Sequence, residues 1–173
     1  IEYSGIMDIF RLPKFAYYFF QSQRNPQPDP MIKIASYWNA NSPLNLTVYS
    51  NCDEVELSLN NLIVARRKPD VNKISTNLKH PPFTFEMKEF IPGTLKAVGY
   101  MADKKVIEES VKTPAKPVAL KVWLDESGRN PQIGCNDVLF LYIAAVDKNG
   151  PVVPDFNDQI QLSANSSVEI MNV

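Results

Sequence analysis

From residue 31 onward the chain alternates apolar and polar positions with a period of two. Residues 31–36, 45–50, 55–60, 62–67, 83–87, 94–101 and 106–112 each read as a β-strand. In the third of these, Val55, Leu57 and Leu59 point one way and Glu54, Glu56 and Ser58 the other. The Asn60-Asn61 pair predicts a two-residue type I′ hairpin, because asparagine tolerates positive φ better than most residues. Asp103-Lys104-Lys105 predicts a second tight turn. Short strands at this spacing predict an immunoglobulin-like β-sandwich.

Ahead of the alternation the period is helical. Residues 12–23 predict the one helix, with Pro13 in its first turn and Phe15, Tyr18 and Phe19 forming an apolar face. Arg24-Asn25-Pro26-Gln27-Pro28-Asp29-Pro30 stops it and acts as a stiff linker. A single aromatic helix has no obvious partner here, so its face is expected to be orphaned and prone to self-association. A second break falls at Thr113-Pro114-Ala115-Lys116-Pro117. Beyond it, 118–124, 138–146, 160–164 and 168–171 read as strands, with Trp123 expected in a core. Those strands are too few to close a sandwich, so the second module is expected to be cut short. The fold class is therefore mainly β, two sandwich modules preceded by one helix.

Composition narrows the function. The net charge is −1 with both signs interspersed, which argues against nucleic acid as a partner. No apolar run is long enough to span a membrane. The first residues lack the basic and apolar regions of a signal peptide, and the chain reads as an internal piece of a longer protein. Prolines number 14 against 6 glycines and cluster where strands should stop. Cys52 and Cys135 are expected to be buried free thiols, although an oxidising compartment would permit a disulfide.

Candidate chemistry is sparse. Glu54 and Glu56 have the spacing of a carboxylate pair, yet both fall on the polar face of a strand, where solvated side chains are the expectation. Asp125-Glu126 and Asp155 with Asp158 flank expected turns. His80 is the sole histidine, so neither a zinc site nor a Ser–His or Cys–His nucleophile is supported, and no metal or cofactor is expected. Asp147-Lys148-Asn149-Gly150 has the wrong spacing for a calcium loop and predicts a turn. Asn45-Leu46-Thr47 and Asn165-Ser166-Ser167 match the glycosylation sequon, a triplet common by chance. Tyr37-Trp38, followed by Asn39-Ala40-Asn41, offers either an aromatic platform for a sugar or, for Trp38, an anchor between the sandwich and its neighbour.

Three stretches, in order, resemble glycoside hydrolase family 2. Gly5-Ile6-Met7-Asp8, Arg11-Leu12-Pro13-Lys14 and Tyr17-Tyr18 look like the end of the family's catalytic (β/α)8 barrel. Ser50-Asn51-Cys52-Asp53-Glu54-Val55-Glu56-Leu57-Ser58-Leu59-Asn60, with Pro92-Gly93-Thr94, resembles the sandwich that follows it. Gly134 to Val138, Val146 to Gly150 and Val153-Pro154 resemble the next immunoglobulin-like module. Asn61 stands where the family's hairpin usually has glycine, and Cys135-Asn136 where it usually has Asp-Gly.

The resemblance implies three parts: a barrel end at 1–27, a sandwich at 28–113 and a truncated second sandwich at 114–173. It implies a non-catalytic accessory segment of a retaining β-galactosidase-like parent, because the family's catalytic glutamates lie on earlier barrel strands. Its partners would be that barrel and, through it, a β-galactoside. Glu2-Tyr3-Ser4 replaces the Asn-Lys-Lys of family β-glucuronidases, which favours a neutral sugar. Gly5 and Asp8 are implied near the barrel mouth, either facing substrate or shaping the last loop, and Trp38 is the third substrate-proximal candidate. A periplasmic or extracellular parent fits this reading, although no residue in the chain reports the compartment. The competing expectation is a carbohydrate-binding or adhesion module with no hydrolase parent.

Overall fold

Alternation on this scale gives two facing antiparallel sheets. A computed structural model describes residues 5–125, 134, 138–164 and 169–171. One sheet holds β1 (Ile32–Ile34), β2 (Asn45–Ser50) and β5 (Phe83–Glu86), in the order β1-β2-β5. The other holds β3 (Glu54–Leu59), β4 (Leu62–Arg67), β6 (Thr94–Met101) and β7 (Lys104–Lys112), in the order β4-β3-β6-β7. This is an immunoglobulin-like sandwich.

The inward positions make one core. Ile32, Ile34, Leu46, Val48, Phe83 and Phe85 of the first sheet meet Val55, Leu57, Leu59, Leu95 and Ala97 of the second. Fully burying one of the larger aliphatic or aromatic side chains contributes about 1.5–3 kcal/mol. The first sheet's alternation runs on past β1: Ile32, Ile34, Ser36 and Trp38 are buried, while Lys33, Ala35 and Tyr37 are not. Glu109 of β7 fastens the open side of β1, accepting from the Ile34 N–H and pairing with Lys33.

Asn60 and Asn61 adopt φ of 52° and 66°, the expected type I′ turn. The second tight turn sits one residue earlier than expected, on Ala102 and Asp103, and Lys104 and Lys105 already pair with Met101 and Tyr100. The Asp53 carboxylate accepts the Ala102 N–H at 2.9 Å and so holds an alanine at φ 45°.

The helix, α1 (Phe15–Ser22), is shorter than the sequence implies. Pro13 lies outside it, bridged to Met7, and Lys14 is the N-cap, in an extended conformation. The expectation of an orphaned aromatic face is corrected. Phe15 packs 5.2 Å from Tyr37, Phe19 packs 5.6 Å from Tyr49, and the Lys33 ammonium sits 4.9 Å over Tyr18. Lys33 and Tyr49 are register partners on the outer face of the first sheet, which supplies the partner the sequence pattern left out. Phe20 is the helix aromatic that stays exposed.

Beyond the second proline break, β8 (Pro117–Asp125) pairs with β9 (Phe140–Asp147) in a two-stranded sheet. Residues 160–164 and 169–171 are not strands, and residue 168 lies outside the described part. A strand needs a ladder partner for its N–H and C=O groups, and none is offered to them among the described residues. Trp123 is not a core residue here: it is 41% exposed, beside Tyr142 at 5.5 Å.

Candidate functional site

The Ser50-Asn51-Cys52-Asp53 motif is a structural knot at the start of β3. Ser50 Oγ donates to the Met31 carbonyl at 2.7 Å and accepts from the Cys52 N–H at 3.2 Å. The Asn51 amide is buried; it accepts from the Met31 N–H at 2.8 Å and donates to the Arg24 and Asp29 carbonyls. One side chain thus satisfies the backbone of the proline linker that joins α1 to β1. Cys52 is a buried free thiol pushed above its ordinary pKa by burial, with a smaller opposing effect from Ser50, so it is an inert packing group. Gly99 on β6 makes room for it: a Cβ there would lie 2.6 Å from the Cys52 sulfur. Cys135 lies outside the described residues.

The loop leading into α1 is built around Asp8. Its Oδ1 accepts from the N–H groups of Phe10 and Leu12 at 2.8 Å each, while Asp8 N–H donates to the Leu12 carbonyl and Lys14 N–H to the Ile6 carbonyl. Gly5 opens the loop at φ 102°, a conformation that favours glycine. The loop then meets β9 of the two-stranded sheet. The Tyr142 hydroxyl donates to the Phe10 carbonyl, and the Arg11 guanidinium lies 5.4 Å over the Phe140 ring. Asp8 therefore spends an oxygen on shaping the loop. Residues 1–4, including Glu2-Tyr3-Ser4, fall outside the described part.

The other candidates are dispersed. Trp38 is fully buried at φ 47°; its indole N–H donates to the Ile91 carbonyl at 3.0 Å and its ring lies 5.1 Å from Phe90. Its neighbour Tyr37 is the exposed aromatic. Strict alternation from Ile32 was the signal for this exchange, since it carries Trp38 inward and Tyr37 outward. Glu54 pairs with Arg66 Nε at 2.6 Å, and Arg66 also meets Asp103 and lies 4.0 Å over the Tyr100 ring. Glu56 is on the same outward face of β3. Asp147 is buried: its carboxylate accepts from the N–H groups of Ala115 at 2.9 Å and Asn149 at 2.7 Å, which holds its pKa below the usual range. The segment after it is a turn, as expected, and the bond to Ala115 ties the second proline linker to β9. Asp155 accepts from the Asn39 amide at 2.9 Å. Glu126 and Asn165 lie outside the described residues.

His80 stands in the loop before β5, where its backbone N–H and C=O are both clamped by the Gln23 amide. Burial, aided by the Lys79 charge, lowers its pKa, and its Nε2 is buried without a partner. Among the described residues no three His, Cys, Asp or Glu side chains converge as a metal site would require. Also among them, no helix is long and apolar enough to cross a membrane. The site is thus an assembly of backbone-fastening polar groups.

The helix thus lies on the outer face of the sandwich, and the β8-β9 sheet meets the loop that precedes that helix. Residues 41–107 match a family model described as a domain of unknown function, DUF4982. The chain is 34% identical to a β-galactosidase of Thermoanaerobacter pseudethanolicus over 91% of its own length and 23% of that protein's. It is 25% identical to a β-galactosidase of Thermoanaerobacterium thermosulfurigenes over 98% of its length and 26% of the relative's. Among solved structures, it superposes on a β-glucuronidase from glycoside hydrolase family 2 with a TM-score of 0.73 and 26% identity, covering 87% of this chain and 15% of that one. The chain belongs to glycoside hydrolase family 2, as an accessory part of its C-terminal region. It spans about a quarter of the length of these curated relatives.

Proposed function

We propose that this chain is the non-catalytic brace of a family 2 glycoside hydrolase. Its parts would be a barrel end at 1–27, a sandwich at 28–113 and the start of a second sandwich at 114–173. The observation that carries this reading is how the polar groups are used. Asp8 shapes its own loop, while Asn51, Asp53, Glu54, Glu109 and Asp147 each bond backbone or a cation at a junction between elements and so hold adjoining segments together. Retaining hydrolysis needs two carboxyl groups about 5 Å apart flanking a cleft, and the parent would supply them from its barrel.

The parent is a β-galactosidase-like enzyme for neutral glycosides in this reading. Support comes from the two β-galactosidase relatives and from the absence of a basic pair at Glu2-Tyr3-Ser4. Relatives named β-glucuronidase make an acidic substrate the competing choice. Gly5 and Asp8 act by fixing the loop that would lie nearest the substrate, and Trp38 by anchoring the residues that follow it. The test is hydrolysis of nitrophenyl β-galactoside and β-glucuronide by the purified chain. Release of nitrophenol at the buffer rate is expected, and turnover above it would refute the brace reading.

A further inference from the structure

The chain's single histidine stands at the joint between α1 and the sandwich. Just past the end of α1, the Gln23 side chain spans that joint. Its Nε2 donates to the His80 carbonyl at 2.7 Å, and its Oε1 accepts from the His80 N–H at 3.1 Å. One residue on each side adds a second tie, since the Lys79 ammonium donates to the Asn25 amide oxygen. Pro81 and Pro82 follow and fix the φ of the backbone leading into β5. The Pro82 carbonyl is itself held, accepting from the Asp70 N–H at 2.9 Å. The segment that grips the end of α1 therefore has little backbone freedom with which to adapt.

The imidazole is half-buried, and its Nε2 is enclosed with no protein group bonded to it. A neutral ring leaves that nitrogen bare at modest cost. An imidazolium needs an acceptor for both of its N–H groups, and an unpaired buried charge is far more costly. The charges that face it are unequal. Lys79, on its own loop, opposes a second positive charge, while Asp53, in the turn before β3, favours one to a smaller extent. Asp53 also commits an oxygen to the Ala102 N–H. The side toward α1 presents the Gln23 amide, which carries no charge.

We propose that His80 is a pH-sensitive latch: neutral, it lets the loop before β5 clamp the end of α1 through Gln23, and protonated, it leaves for water and opens that clamp. Histidine is the side chain whose ordinary charge change falls between about pH 5 and 8, and no second histidine shares the window. The folded value lies below the ordinary 6.5, so the clamp is fully in force above 6.5 and weakens as pH falls from there through the lower folded value. The latch goes beyond the bracing role, because a clamp indifferent to pH would still brace.

The experiment is amide hydrogen exchange on the 173-residue chain at about pH 7.5 and about pH 5.5, either side of the histidine range. Protection of the His80 N–H, corrected for the intrinsic pH dependence of exchange, should fall by about twofold to tenfold. Tenfold is about the ceiling, set by the protonation of an ordinary histidine one unit below 6.5. Amides of β3 and β6 should keep their protection. His80→Phe, which cannot titrate, should remove the pH dependence. Should that variant misfold, the ring C–H shifts of the unaltered chain still decide, with a titration midpoint below 6.5 expected. Protection at His80 that ignores pH, a pH dependence that survives in His80→Phe, an equal loss across β3 and β6, or a ring midpoint at or above 6.5 would each overturn the proposal.

Discussion

Gly99 offers the sharpest test of how the Cys52 knot is packed. It lies mid-strand in β6, buried, between Val55 of β3 and Ile107 of β7. A methyl group added there would sit 2.6 Å from the Cys52 sulfur and 2.9 Å from Ile107 Cγ2, inside the distance that real Cβ atoms tolerate. Both neighbours are held in strands or turns, so Gly99→Ala should cost about 1–3 kcal/mol, the usual range for overpacking. Cys52→Ala alone removes one buried heavy atom and should cost about 1 kcal/mol. The double variant relieves the shorter clash, leaving only the Ile107 contact. It should therefore be more stable than the sum of the single costs by about 1–2 kcal/mol, within the range for touching residues. Urea unfolding followed by tryptophan fluorescence gives the midpoints, and an unchanged m-value would keep the comparison valid. Strict additivity, within about 0.5 kcal/mol, would show that the sulfur is not what excludes a side chain at position 99.

Three further outcomes follow from the same structure. Asn51→Ala leaves the Met31 N–H without its acceptor and should lower stability by about 1–3 kcal/mol, with faster hydrogen exchange at Met31 as its local mark. Asn61→Gly should raise stability by about 0.5 kcal/mol, because glycine meets the turn's φ of 66° without steric cost. Glu108 is held down to about 2 by hydrogen bonds first from Lys105 and then from Lys96. Its folded value lies below the ordinary 4.5, so the stability it contributes is present above 4.5 and lost as pH falls through about 2. Glu108→Gln should flatten that part of the stability profile, and added salt should shrink the difference because the group is exposed.

Much of the sandwich was legible because a period of two is a direct record of one buried and one open face. Every strand from β1 to β7 was foreshadowed this way, and the Asn60-Asn61 turn by the residues that accept positive φ. Periodicity does not say what covers a face. The aromatic side of α1 looked orphaned, since nothing in residues 12–23 reveals that Lys33 and Tyr49 offer it a surface. Trp123 looked like a core residue because it sits mid-strand in a largely apolar run, and such a run does not show which of its faces is covered. Pro13 was placed in the helix by its usual preference, while the Asp8-centred loop claims it for a bridge to Met7. The family motif was recognisable, but its physical meaning lay in the linker: Asn51 is needed where Arg24, Asp29 and Met31 leave backbone groups to satisfy. Trp38 stood either in an aromatic platform with Tyr37 or as an anchor toward a neighbouring domain, although the alternation from Ile32 already turned it inward.

The claim on which the account rests is that no carboxyl group in this chain can attack a glycoside. A retaining glycosidase passes through a covalent glycosyl–carboxylate intermediate. Incubation of the chain with activated 2-deoxy-2-fluoro β-galactoside and β-glucuronide, followed by intact-mass measurement, reads that step directly. An unmodified mass is expected in both cases; a stoichiometric glycosyl adduct on any Asp or Glu of this chain would contradict the claim.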